Sequence, residues 1–170
     1  MTHLSIADFL AHAIALEADA ALCYDELAAA MDVHNNRAVT ALFQQMASYA
    51  RHHLAEVEAI ARNYDVPRLK SWEFDWKGRD TSPEQAAMEE AHYLMTPYQA
   101  LQMALAAEEQ AFAYYDGVRT RTNDPVLQNL ATQLATEEAE HVRLVRAWLD
   151  RSPPPAADWD HDPDPPVSID

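Results

Sequence analysis

The sequence predicts an all-α protein, a bundle of four long helices paired into two antiparallel hairpins. Of its 170 residues 49% are apolar, and only two are glycines. Tight β-hairpin turns need residues that accept a positive φ, so the scarcity of glycine argues against strands joined by such turns. Long runs of Ala, Leu, Met, Glu and Gln favour helix instead. A chain of this length can bury the core of one domain.

The first predicted hairpin follows directly on the N-terminus. Apolar residues at helical spacing predict a helix over about residues 6–32, with Ser5 as its N-cap. Residues 34–36 include two asparagines and are expected to form the turn. The second helix is predicted to extend to about Tyr64, because Pro67 prevents it from continuing.

The second predicted hairpin has clear signals at both of its helix starts. Thr96 caps a third helix that has Pro97 at its first position and ends near Thr122. Pro125 begins the fourth helix, which is predicted to reach about Arg151 before three consecutive prolines stop it.

A connector of about 30 residues separates the two hairpins, enough to cover helices of about 28 residues, which are about 42 Å long. Within it, Ser82 followed by Pro83 predicts a short extra helix that ends near Tyr93. One long crossover therefore joins the hairpins. Residues 1–151 are predicted to form the bundle, and residues 152–170 an acidic, proline-rich tail that is disordered because it lacks the apolar content to fold alone.

The composition excludes several classes of partner. A net charge of -16 makes nucleic acids and anionic membrane surfaces poor partners. No apolar stretch is long enough to span a bilayer, and the N-terminus lacks the pattern of a signal peptide, so we expect a cytoplasmic location. Cys23 is the only cysteine, which excludes an intramolecular disulfide and a Cys-x-x-Cys metal module.

A Glu-x-x-His step in the fourth helix is the most informative motif. Residues three apart share a helix face, so Glu138 and His141 point the same way and can bind one metal ion. Glu17, His53 and Glu108 lie near the middle of the other three predicted helices. Four helices with inward carboxylates and imidazoles are the arrangement of a di-metal carboxylate site. These five residues are therefore the candidate metal ligands.

The five candidates are predicted to lie at one level of the bundle. In an antiparallel hairpin, residues equally far from the turn are neighbours. Glu17 and His53 are equally far from the first turn. Glu108 is as far from the second turn as Glu138 and His141 are. Unrelated surface residues would match in this way only by chance.

Two stretches resemble the rubrerythrin branch of the ferritin-like superfamily. One is Ala-Ala-Glu-x-x-Ala-x-x-Tyr-Tyr at residues 106–115, and the other is Leu-Ala-x-Glu-Glu-x-Glu-His at residues 134–141. The resemblance extends from Ser5 to Arg151, without a rubredoxin-like domain. It implies a ferritin-like bundle with a non-haem di-iron site, an oxidoreductase activity on peroxide or O₂, and a homodimer that takes electrons from an external donor.

The resemblance also implies a role for each candidate ligand. Glu17 and Glu108 would each bind one iron, and the Glu-x-x-His pairs would supply bridging carboxylates and terminal imidazoles. The sequence departs from this pattern at Ala50, which stands where the family has the bridging glutamate of the second helix. Five candidate ligands remain where the family has six.

This departure leaves the metal content open. Five ligands are compatible with one metal ion as well as with two. A mixed set of carboxylates and imidazoles suits Mn or Zn as well as Fe. The sequence is also compatible with a non-catalytic metal-binding or storage protein, and with a metal-free bundle.

Three tyrosines are candidates for supporting the site, and no catalytic residue is assigned beyond them. Tyr24 and Tyr115 each lie about two turns after a candidate glutamate. They could hydrogen-bond the ligating groups, although two core aromatics are the favoured interpretation. Tyr49 has the same two interpretations. His52 competes with His53, because the two are adjacent on one helix.

Overall fold

The computed structural model describes residues 4–33, 35–70, 73–74, 82 and 95–154. This part of the chain contains four helices and no strand, which confirms the all-α prediction. The helices are α1 (Ile6–Val33), α2 (Arg37–Ala61), α3 (Pro97–Arg121) and α4 (Pro125–Leu149). None of these helices is long and apolar enough to cross a membrane. The short helix predicted after Ser82 and the predicted tail beyond Pro154 lie outside the described residues.

The helices pair as two hairpins, as predicted. α1 packs along α2, and α3 packs along α4. At the first turn Asn35 has a φ of 55°, a left-handed conformation in which asparagine is enriched. Residues 62–96 connect α2 to α3, and of these the structure describes 62–70, 73–74, 82, 95 and 96.

Each helix begins at a side-chain cap. Ser5 accepts a hydrogen bond from the backbone N–H three residues later at 3.0 Å, as predicted for α1. Asn36 accepts a hydrogen bond from the backbone N–H three residues later at 3.2 Å. Thr96 and Gln99 form a reciprocal capping box at the start of α3. Asp124 accepts hydrogen bonds from two backbone N–H groups of α4, at 2.8 and 3.2 Å. Each such cap contributes about 1 kcal/mol to helix stability.

Two helices end slightly earlier than predicted. α2 ends at Ala61 rather than near Tyr64, and α4 ends at Leu149 rather than near Arg151. Just beyond each end, a backbone N–H bonds to the carbonyl three residues earlier: Tyr64 to Ala61 at 3.0 Å, and Ser152 to Leu149 at 3.0 Å. The chain therefore tightens into a turn there, as is common at helix ends.

Two apolar clusters fill the bundle. The first surrounds Phe43 and Leu101, at the end that contains the turn between α1 and α2. The second surrounds Phe9 and Leu127, at the end that contains the turn between α3 and α4. Burying one Leu or Phe side chain contributes roughly 1.5–3 kcal/mol. The layer between the two clusters is where the candidate ligands lie.

Candidate metal centre

Three buried glutamates occupy the layer between the apolar clusters. Glu17 on α1 is 3% exposed, and Glu108 on α3 and Glu138 on α4 are each 5% exposed. Their helices bring them together because each residue lies near mid-helix, at a matching distance from its turn. A buried carboxylate costs free energy unless it is paired, so three in one layer require protons, hydrogen bonds or a cation.

The most compact group of possible ligands consists of Glu108, Glu138 and His141. Nδ1 of His141 lies 3.4 Å from Oε2 of Glu108 and 3.4 Å from Oε2 of Glu138. One ligand atom from each of the three residues lies within 4.8 Å of the others. α4 contributes two of the three because residues 138 and 141 are about one turn apart. This group could hold a metal ion.

His53 approaches the same layer from α2. Its Nδ1 lies 3.9 Å from Oε2 of Glu17, and its ring stacks on that of His141 with centroids 5.4 Å apart. This Nδ1 is buried and has no hydrogen-bond partner within the described ranges. The side chain of His52, by contrast, is 71% exposed and pairs with Glu56. Of the two consecutive histidines, His53 is the one at the layer of the buried glutamates.

Two buried tyrosines each donate a hydrogen bond to a glutamate of the other hairpin. The hydroxyl of Tyr115 on α3 donates to Oε1 of Glu17 at 3.3 Å. The hydroxyl of Tyr24 on α1 donates to Oε1 of Glu108. Both side chains are also part of the apolar clusters, so they are core aromatics and carboxylate partners at once. Such hydrogen bonds orient a carboxylate for metal binding.

Tyr49 lies on the outer side of the site. It is 38% exposed, and its ring stacks on His141 with centroids 5.9 Å apart and planes within 8° of parallel. Gln45 donates a hydrogen bond to its hydroxyl. Tyr49 therefore contacts a candidate ligand through its ring face.

A small cavity lies beside Ala50. Its volume is about 10 Å³, which is room for about one water molecule. Its wall includes Glu17, Glu108, Glu138 and His141 together with Ala50. Position 50 therefore faces the candidate ligands, and its methyl group leaves this space unfilled.

The two glutamates that accept from tyrosines differ in protonation. Burial and then the charge of Glu108 raise the pKa of Glu17 to about 8. Burial also acts to raise the pKa of Glu108, but hydrogen bonding with His141 and Glu138 outweighs it and holds this pKa below its ordinary value. In the metal-free protein at neutral pH, Glu17 is therefore protonated and Glu108 is ionised.

The pKa values of His53 and His141 are also shifted in opposite directions. Burial lowers the pKa of His53, and the neighbouring His141 lowers it further. Burial acts in this direction on His141 too, but a hydrogen bond to Glu108 and the charge of that carboxylate outweigh it, so the pKa of His141 is raised. His141 therefore compensates the charge of Glu108, whereas His53 is held neutral, the form in which imidazole binds a metal.

A second group of possible ligands includes two glutamates that the sequence analysis missed. Glu56 and Glu137 join His53 in a set whose ligand atoms lie within 4.8 Å of one another. Nε2 of His53 lies 3.6 Å from Oε2 of Glu137. Burial and then the charge of Glu56 raise the pKa of Glu137. Glu56 follows His53 by three residues, the same spacing that identified Glu138 and His141, so this part of the group had a signal in the sequence.

The comparisons with known proteins agree with the fold. A family model described as Rubrerythrin matches residues 8–95, which is more than half of the chain. The crystal structure of an uncharacterized conserved protein from Magnetospirillum magnetotacticum MS-1 is 40% identical in sequence and has a TM-score of 0.76; the match covers 89% of this chain and 98% of that one. Comparison with curated proteins gives no match.

These matches confirm the resemblance and the ferritin-like bundle inferred from the sequence. No rubredoxin-like domain is evident in the part of the chain that the structure describes. The chain belongs to the rubrerythrin family.

Proposed function

We propose that this protein binds iron at Glu17, His53, Glu108, Glu138 and His141, and that it is a non-haem di-metal oxidoreductase that acts on peroxide or O₂. The observation that carries the proposal is the position of His141. Its Nδ1 lies at equal distance, 3.4 Å, from two carboxylates in a layer shielded from water by apolar clusters on both sides.

The residues present fit a divalent cation. Carboxylate oxygens and imidazole nitrogens together suit Fe, Mn and Zn. The buried Nδ1 of His53, without a hydrogen-bond partner among the described residues, is a ring nitrogen available to a metal. The proton on Glu17 reduces the negative charge of the metal-free site, and the raised pKa of His141 favours its protonation. Metal binding would release such protons.

The residues around the metal centre have separate roles in this proposal. Tyr24 and Tyr115 hold the carboxylates of Glu108 and Glu17 in orientation. The cavity beside Ala50 has room for about one water-sized ligand next to the candidate ligands. When bound, iron would supply the redox equivalents and the Lewis acidity for reducing peroxide or O₂. Because the sequence holds a single cysteine, it offers no cysteine-ligated redox centre, and we expect electrons to come from an external donor.

Iron loading followed by peroxide tests the proposal. Metal-free protein would be loaded with Fe²⁺ under anaerobic conditions and then mixed with hydrogen peroxide and an excess of reductant. We expect the near-ultraviolet absorption of the iron centre to change on mixing, and peroxide to be consumed over many turnovers. Consumption no faster than with the His141→Ala variant and the same amount of iron would contradict the oxidoreductase activity. His52→Ala, which removes an exposed imidazole, is the matched control.

The cavity at Ala50 favours a second candidate function, a non-catalytic metal-binding or storage protein. Loss of a bridging carboxylate weakens the link between two metal ions and so opposes redox cycling of the pair. Stable binding of one Fe or Zn per chain without peroxide consumption would support this alternative. Absence of any metal from protein purified under metal-replete conditions would exclude both functions.

The homodimer and the cytoplasmic location expected from the sequence remain predictions. Light scattering coupled to size-exclusion chromatography would determine the number of chains in the particle. Fractionation of the source cells would determine the location.

A further inference from the structure

A second set of metal-binding side chains lies at the surface beside the buried centre. Glu56 on α2 and Glu137 on α4 converge with His53 so that one ligand atom from each lies within 4.8 Å of the others. Glu56 is exposed, Glu137 is partly buried, and His53 lies between them and the buried carboxylates. We refer to these three residues as the outer group.

The outer group contains two like charges with little compensation. Within the described ranges, neither Glu56 nor Glu137 lies in ion-pair distance of a lysine or arginine. Instead, Glu56 lies 3.4 Å from the imidazole of His52, and Glu137 lies 3.6 Å from that of His53. The two carboxylates repel each other when both are charged, and a divalent cation between them would remove that repulsion.

The imidazole of His53 is the member of the outer group that also faces the buried centre. Its side chain is only 12% exposed, and its Nδ1 is buried without a hydrogen-bond partner among the residues described. The two ring nitrogens face different carboxylates: Nδ1 lies 3.9 Å from Glu17, and Nε2 lies 3.6 Å from Glu137. A neutral imidazole has one lone pair for a metal, so His53 can serve the buried side or the outer side, but not both at once.

We propose that Glu56, Glu137 and Nε2 of His53 form a second binding position for a divalent cation, at the mouth of the buried centre. The oxygen-rich set suits small cations such as Mn²⁺ or Fe²⁺. From this position the ion passes inward by exchange of His53 from Nε2 to Nδ1 ligation, towards Glu17. The inward passage rests on the proposed function of the buried centre, whereas cation binding at the outer group does not.

Titration of the metal-free chain with Mn²⁺ tests the proposal. Calorimetry would give the number of binding classes, and the electron paramagnetic resonance signal of free Mn²⁺ would give the stoichiometry. In the native chain we expect one class from the buried centre, which keeps Glu108, Glu138 and His141 while His53 binds the outer ion, and one class from the outer group. The Glu56→Gln/Glu137→Gln double variant should lose the outer class, retain the affinity of the buried class, and fill the buried centre about tenfold more slowly in stopped-flow mixing.

A matched control separates specific ligation from loss of negative charge. Glu58→Gln/Glu140→Gln removes two exposed carboxylates from the same two helices, close to the outer group in sequence. This control should keep both classes and the native filling rate. Equal stoichiometry and equal rates in the two double variants would overturn the proposal.

Failure of this inference is distinguishable from failure of the proposed function. If His141→Ala loses no metal, the buried centre is wrongly assigned, but the outer class must still disappear in the Glu56→Gln/Glu137→Gln variant. If that variant keeps two classes while His141→Ala loses one, the outer group is wrong and the buried centre stands. Because glutamine has the size of glutamate, each double variant should unfold at nearly the same temperature as its control. A matching unfolding temperature would confirm that the variant is folded.

Discussion

The hydroxyl of Tyr115 on α3 donates a hydrogen bond to Oε1 of Glu17 on α1, at 3.3 Å. The reciprocal bond, from Tyr24 on α1 to Glu108 on α3, makes the relationship symmetrical between the two hairpins. Each hairpin therefore orients a carboxylate of the other. The geometry of the candidate centre depends on how the hairpins dock as well as on the helices that carry the ligands.

The first prediction concerns these hydroxyls. Tyr115→Phe and Tyr24→Phe each remove the donor and keep the ring, so each should lower the free energy of unfolding by about 1 kcal/mol. Because the freed carboxylate is no longer oriented, metal affinity should fall by about tenfold. Chemical denaturation and metal titration measure the two effects. Tyr98→Phe, at the start of α3 and away from the site, should change neither; a loss of affinity there as well would mean that the effect is not local.

The second prediction concerns the imidazole shared by two carboxylates. His141→Ala should strip most of the bound metal, because Nδ1 of His141 is central to the group with Glu108 and Glu138. Elemental analysis of protein purified in parallel with the native chain measures the loss. His52→Ala removes an imidazole whose side chain is 71% exposed and should leave metal content unchanged. Unchanged metal in His141→Ala would show that the assignment on α4 is wrong.

The third prediction concerns position 50. Ala50→Glu returns a carboxylate to a position that faces Glu17, Glu108 and His141 across a small cavity, so it should strengthen binding of a two-metal centre and raise the metal content towards two ions per chain. Metal titration and elemental analysis are the measurements.

The control for this substitution is Ala59→Glu, which adds the same charge to an exposed position of the same helix. It should have no effect on metal content. Weaker binding or misfolding in Ala50→Glu, with a normal control, would mean that a carboxylate at position 50 does not reach the metal.

Much of this architecture could be predicted from local signals. Thr96 with Pro97, and Asp124 with Pro125, mark helix starts that the structure places at those residues. Matching distances from the turns predicted that the buried glutamates share a layer, because the rise per residue is constant along a helix. The match of Glu108 with Glu138 depends only on neighbours within one hairpin, whereas the common level of Glu17 also depends on how the hairpins dock.

Other features depend on tertiary packing and could not be predicted. Adjacent histidines on one helix differ by about 100° in direction; matching distances from the turn favoured His53, but which of its ring nitrogens faces Glu17 required the packing of α1 on α2. The bond from Tyr115 to Glu17 required the docking of one hairpin on the other. The outer group was missed for the same reason, since Glu137 meets His53 only through the contact between α4 and α2.

The last prediction concerns pH. Burial raises the pKa of Glu17 in the folded, metal-free protein to about 8, from an ordinary value of 4.5. Between these values the folded state binds a proton that the unfolded state has lost, so stability falls as the pH rises through this range. The raised pKa of His141 acts in the same direction. Since one pKa unit corresponds to about 1.4 kcal/mol, and coupling within the site reduces the effect, we expect a loss of roughly 2–4 kcal/mol.

Denaturant unfolding of chelator-treated protein at pH 5, 6.5 and 8 measures this loss. Glu17→Gln should remove most of the pH dependence of the free energy of unfolding, because an amide of the same size cannot ionise. Glu26→Gln, an exposed position on the same helix, should retain the native dependence. If Glu17→Gln keeps that dependence too, the destabilisation at high pH arises elsewhere, and Glu17 is already ionised in the folded protein.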